Sequence, residues 1–143
     1  MRYARKTALL IVALALFLPS VSSPAAAPGD HHGVVVQVSN QDPESWDLTL
    51  LNIKYIQEQL GKKSLPIEVV AFGPGVYMLT RNSVVREGLR RAMQHGVRFV
   101  ACETSMHTRS IRRKDMYPGV TFVPLGIAEI ITKQREGWSY LKP

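Results

Sequence analysis

The chain has a single cysteine, Cys102, among its 143 residues. One thiol cannot close an internal disulfide, so stability must come from packing, which association can supplement. Nor is there a Cys-x-x-Cys pair, which excludes dithiol exchange within one chain. Histidines and carboxylates nowhere take metal-ligand spacing, so neither a metal nor any other cofactor is expected. Both glycine patterns that cradle nucleotide phosphates, GxGxxG and GxxxxGK, are missing. Acidic residues are the scarcer charge, 11 against 18 Lys and Arg, for a net charge of +7.

Part of that excess lies at the start. Arg2, Arg5 and Lys6 precede an apolar run from Ala8 to Leu18, which Pro19 ends, and small residues follow through Ala27. This is the order of a secretory signal peptide, and the run is too short to span a bilayer. Cleavage is expected after Ala25 (residues 1–25) or after Ala27; the second leaves Pro28 at the new terminus and is the poorer choice. Arg2 and Arg5 are not adjacent, so a twin-arginine signal is not expected. The expected product is exported and periplasmic, with no membrane attachment after cleavage. Loss of residues 1–25 removes three cations and no acid, which takes the net charge from +7 to +4. Export and so ordinary a balance argue against nucleic acid as a partner.

The remaining length, about 115 residues, suits one domain with one core. Residues 26–33 read as a polar tail, with His31 and His32 as tail residues rather than metal ligands. A single α/β domain is expected over 34–143. Val34-Val35-Val36-Gln37-Val38 has the β-branched character of a strand covered on both faces. Asp42-Pro43 reads as a helix cap and first position, and Gly61 as the stop. Between them, Leu48, Leu51, Tyr55 and Ile56 recur at helical spacing, widened by Trp46, Leu50 and Ile53, as if the helix were pressed between a sheet and a second surface. Ile67 to Phe72 is a second strand, broken by Gly73-Pro74-Gly75. A helix capped at Asn82 or Ser83 then buries Val85, Leu89, Ala92 and Met93.

Arg98 to Ala101 is a third strand that delivers Cys102 at its carboxyl end, and residues 104–111 suit a short helix. Val120 to Val123 is a fourth strand. Ile127, Ile130 and Ile131 mark a last helix, and residues 138–141 a brief fifth strand. Strand and helix alternate, which implies a three-layer α/β sandwich with a five-stranded parallel sheet and helices on both faces.

Ligands of such sheets bind beyond the carboxyl ends of the strands, where Cys102 lies. Amide groups opening the following segment, and the cations Arg109, Arg112 and Arg113, would each lower its pKa. A thiolate so placed attacks sulfane sulfur. Free cysteine also serves as inert core packing, so an inert Cys102 stands as the alternative. His107 is the nearer candidate base. Gly73 and Gly75 suit either a tight crossover bend or an anion cradle.

The segment Val97-Arg98-Phe99-Val100-Ala101-Cys102-Glu103-Thr104-Ser105-Met106 resembles the exported, signal-peptide-bearing branch of the DsrE/DsrF-like family, in which a strand ends in cysteine followed by x-Asn-Thr-Met. Glu68 to Gly75, Gly126 to Ile130, Gln134, Glu136-Gly137-Trp138 and Tyr140 agree with it. The resemblance implies a three-layer fold assembled as a trimer or hexamer. It also implies a sulfur carrier, at most a sulfurtransferase-like one, with Cys102 holding persulfide sulfur between a donor and an acceptor protein or taking it from a small sulfur anion. Thr104 and Ser105 stand where asparagine and threonine are usual. With Arg109, Arg112, Gly73 and Gly75, they are the candidate substrate-binding residues. Non-catalytic anion binding or an assembly role, with Cys102 only structural, is the alternative.

Overall fold

The computed structural model describes residues 33–61 and 65–143. The expected signal segment and His31 and His32 lie outside the described residues. Three strands carry the apolar runs: β1 (Val34–Val38), β2 (Ile67–Ala71) and β3 (Arg98–Cys102). Two shorter ones, β4 (Thr121–Val123) and β5 (Ser139–Leu141), complete a parallel sheet in the order β4-β3-β2-β1-β5. The fold is the expected α/β class with a five-stranded parallel sheet. β1, β2 and β3 occupy its middle and are covered on both sides, so their sequences run apolar instead of alternating.

Helix α1 (Pro43–Leu60) starts where Asp42 accepts hydrogen bonds from the Glu44 and Ser45 amides, at 3.2 and 3.3 Å. Helix α2 is Arg86–Gln94, α3 is Glu103–Thr108 and α4 is Gly126–Arg135. α2 begins later than its expected cap, because residues 82–85 turn first, with the Ser83 hydroxyl accepting from the Val85 amide. The segment after β2 is not a bare bend. Gly73–Leu79 forms a 3₁₀ helix that buries Val76, Met78 and Leu79.

The two faces of the sheet are unequally clothed. Val34, Val36 and Val38 point to the side that holds α1, the 3₁₀ segment, α2 and Met106 of α3. Val35, Val70 and Val100 point to the other, where Ile130 of α4 meets them. Alternate residues of a strand face opposite ways, so one run of valines serves both cores. The buried stripe of α1 is Trp46, Thr49, Ile53 and Gln57, whereas Leu48, Leu51 and Tyr55, which recur at helical spacing in the sequence, are exposed. Polar anchoring explains the choice. The Trp46 indole donates to the Asn40 carbonyl at 3.1 Å and the Gln57 amide to the His95 carbonyl at 3.0 Å, and both bonds require that stripe to face inward.

From β1 to β4 the chain steps one way along the sheet; from β4 it returns through α4, behind the sheet, to the far side of β1. Connections leaving β3 and β4 therefore part to opposite faces. That is the topological switch point at which open sheets form their sites.

Gly75 permits the 3₁₀ segment to lie against β1, since a Cβ there would run into the Val38 carbonyl. Gly75→Ala is expected to destabilise the fold by about 1–3 kcal/mol, read as a lower denaturation midpoint at unchanged m-value. An unchanged midpoint would show that the contact is soft.

Candidate functional site

Cys102 ends β3 beside Val123 of β4, at the switch point, and is only 2% exposed. It shares strand parity with Val100, so its side chain lies on the α4 side. Gly126, the first residue of α4, sits directly over it. A Cβ on Gly126 would lie 3.1 Å from Cys102 Cβ, 3.0 Å from Phe72 Cβ and 3.3 Å from Val70 Cγ1. A side chain at 126 would make these neighbours give way by a few tenths of an ångström, so glycine lets the helix begin this close to Cys102 without strain.

α3 starts at the next residue, so amides opening two helices converge on one atom. First-turn amides have no carbonyl of their own helix to bond and are free to serve an anion. Burial pushes the Cys102 thiol up. The Ser105 hydroxyl, and then the amides of Gly126, Ser105 and Thr104, outweigh that and hold it below its ordinary value. Ser105 is itself fixed, because its Oγ accepts from the Gly73 amide at 2.8 Å. That bond leaves the hydroxyl hydrogen for the sulfur. When protonated, the thiol faces the Pro124 carbonyl at 3.9 Å, which also accepts from the Thr104 hydroxyl at 2.8 Å and the Thr104 amide at 3.2 Å. Thr104 thus ties the β4–α4 connection down across the sulfur.

The sequence candidates divide accordingly. Thr104 and Ser105 reach the sulfur directly, and Gly73 acts through Ser105. Gly75 serves packing against β1. Arg109 donates to the Ser105 carbonyl at 3.3 Å and the Thr108 hydroxyl at 3.0 Å. Arg112 holds Asp115, whose carboxyl it keeps below the usual range through hydrogen bonds. Arg113 forks onto Glu103 and lies 4.7 Å from the centre of the Phe122 ring. The basic cluster is therefore spent on acids and carbonyls, and hydrogen bonds instead of cations lower the thiol's pKa. His107 is exposed and is not among the groups that bond the sulfur.

Two features escaped the sequence reading. Gly126 stands out in the sequence only among the residues that carry the family resemblance, and its contact with Cys102 has no local signal. Glu68 looked like a strand position, although an acid inside an apolar run was a visible signal; its carboxyl is buried under α4.

A family model described as the DsrE/DsrF-like family matches residues 33–143. The chain belongs to the DsrE/DsrF-like family. Among solved structures, a protein of unknown function from Methanobacterium thermoautotrophicum is 32% identical with a TM-score of 0.73, over 77% of this chain and 97% of its own. The ychN protein of E. coli has a TM-score of 0.68 at 16% identity, over 78% of this chain and 98% of its own. A conserved protein of unknown function from Bacteroides thetaiotaomicron has 0.64 at 13%, over 78% and 95%. These last two likenesses concern the fold alone. No match was found among curated proteins.

In this DsrE/DsrF-like chain the Ser105 hydroxyl is the largest influence that favours the thiolate. Ser105→Ala is expected to move the Cys102 titration to higher pH and to slow its alkylation near neutral pH several-fold. Thiolate absorbance against pH checks the shift. A variant that titrates as wild type would remove Ser105 from the site.

Proposed function

We propose that this DsrE/DsrF-like protein is an exported, periplasmic homo-oligomer that carries sulfane sulfur on Cys102. The observation that supports this reading most is the set of donors around a buried sulfur, which keeps its pKa low where burial alone would raise it. The family's link to sulfur relay agrees with it. In the loading step the Cys102 thiolate attacks the outer sulfur of a persulfide or polysulfide. An S–S bond to Cys102 forms as the donor's S–S bond breaks, and the donor thiolate leaves with the electron pair. The product, an S-sulfanyl anion, is stabilised by the same amides and hydroxyl. Transfer to an acceptor thiol repeats the exchange in reverse. Because Cys102 is buried, either exchange requires the Pro124-Leu125-Gly126 connection to move aside.

A second reading, assembly without chemistry, draws on the outer stripe of α1. Leu48, Leu51 and Tyr55 are exposed there, with Val84 of the turn before α2 nearby. Apolar residues gathered on one helix face suit a subunit interface. Assembly is compatible with sulfur carriage and forms part of the same proposal. Anion binding without chemistry is weakened by the pairing of Arg112 with Asp115 and of Arg113 with Glu103.

Two measurements test these points. Polysulfide treatment of the reduced protein is expected to add one or more sulfur atoms to its intact mass, and Cys102→Ser to abolish the gain. A wild-type protein that stays at its reduced mass sinks the carrier. Sedimentation is expected to give a trimer or hexamer for wild type, and a smaller species for a Leu51→Glu, Tyr55→Lys double variant. A monomeric wild type ends the assembly claim.

A further inference from the structure

We propose that Glu68 and Glu129 share one proton and form a pH-sensitive latch, which holds α4 closed over Cys102 while protonated and releases it when the proton leaves.

Glu68 is the second residue of β2 and faces α4, as Val70 does two residues on. It is 1% exposed, and its Oε1 has no hydrogen-bond donor among the described residues. From β3, Arg98 places Nε 3.4 Å from Oε2, but the Arg98 side chain is 53% exposed and largely hydrated. From β1 the neighbour in register is Val35, which carries no charge. From α4 come Glu129 and Lys133. The Glu129 carboxyl lies within hydrogen-bonding reach of Glu68. Lys133 is shared out: Nζ is 3.0 Å from Glu136, 4.0 Å from Glu129 and 4.8 Å from the centre of the Trp138 ring, so it favours the charge on Glu129 while its closest carboxylate is Glu136.

Two ionised carboxylates in this space would repel one another and leave Oε1 without a donor, a costly state away from water. A single shared proton removes both penalties, because it turns one acceptor into a donor. Burial raises the Glu68 pKa to about 7. The Arg98 charge works against this, the Glu129 hydrogen bond and charge work with it, and the Lys133 charge works against it. Among the described residues no three His, Cys, Asp or Glu side chains gather to hold a metal.

The link to the sulfur is short. The Glu129 amide bonds to the Leu125 carbonyl at 3.2 Å, in the turn that begins α4. Gly126 of that turn lies against Val70, Phe72 and Cys102. Loosening Glu129 from Glu68 therefore loosens the turn that covers the thiol. In the closed form Glu68 keeps its proton up to about pH 7; once opened to water it loses it near 4.5. Opening is therefore favoured by up to about tenfold per pH unit between those values and is constant above them. The latch governs access to the thiol whatever the thiol carries.

The test is the rate of Cys102 alkylation by an uncharged reagent across the range from about pH 5 to 8, in wild type and in Glu68→Gln. The ratio of the two cancels ionisation of the thiol itself. It is expected to rise by up to about tenfold per pH unit and to level off above about pH 7; a flat ratio overturns the latch. In the unmodified protein, amide hydrogen exchange of Glu129 and Ile130 relative to Ile53 of α1 is expected to lose protection over the same window. A constant relative protection also overturns the proposal, without reliance on any variant.

Discussion

The close approach of Gly126 to Val70, Phe72 and Cys102 is the contact on which the site depends. Among the described residues α4 is the helix that covers one face of the sheet, and it must travel from β4, at one edge, to β5 at the other. To do so it has to start above β3. Its first amide then falls on the last residue of that strand, which is Cys102. One contact therefore seats the helix, aims a donor at the sulfur and closes the sulfur off from water. The three effects cannot be varied independently. A larger residue at 126 would lift the helix, remove the donor and uncover the thiol together.

The asymmetry of the two faces has a further consequence. On the α1 side the sheet meets four segments and a broad apolar core. On the α4 side the core is a handful of side chains around Val35, Val70, Val100 and Ile130. So narrow a core gives α4 less hydrophobic stabilisation than α1 receives, since the gain follows the apolar area removed from water. In that setting one buried carboxyl weighs heavily. Glu68 takes a position on the α4 face that an aliphatic residue would fill with gain, and it makes the seating of α4 depend on a proton. The helix that shields the sulfur thus rests on few buried side chains of its own, with Ile130 chief among them.

The sequence made the strands and the main caps legible because their signals are local. The valine run of β1, the Asp42-Pro43 start of α1 and the Gly61 stop each depend on residues within a few positions of one another. The place of Cys102 at a strand end was legible for the same reason. Three things were not. α1 carries two apolar stripes, and the one that turns inward is selected by polar anchors, of which the partner of Gln57, the His95 carbonyl, is distant in sequence. The arginines near Cys102 were close in sequence, but long side chains choose partners in space, as Arg113 does in reaching back ten residues to Glu103. The burial of Glu68 was hidden because strand parity gives a residue's face only relative to its neighbours. Which face α4 would cover is decided by the return from β4 to β5.

Burial and a lowered pKa make an unusual pair for a thiol, and the donors explain why both hold. A cysteine that merely fills space is surrounded by apolar groups and titrates high. Around Cys102 stand the amides of Thr104, Ser105 and Gly126 and the Ser105 hydroxyl. A neutral thiol is a weak acceptor and would satisfy such donors poorly. A thiolate satisfies them well, because hydrogen bonds to an ionised acceptor are shorter and stronger than neutral ones. The environment is therefore better matched to the anion than to the thiol, although it lies out of contact with bulk water. That match is set by backbone positions at the starts of two helices and by one serine anchored on the Gly73 amide. It persists as long as α4 is seated, so the conditions that favour the thiolate are also those that keep reagents from it. A reagent reaches this sulfur only when the β4–α4 connection moves, so the strength of α4's attachment to the sheet is part of what sets the reactivity of the thiol.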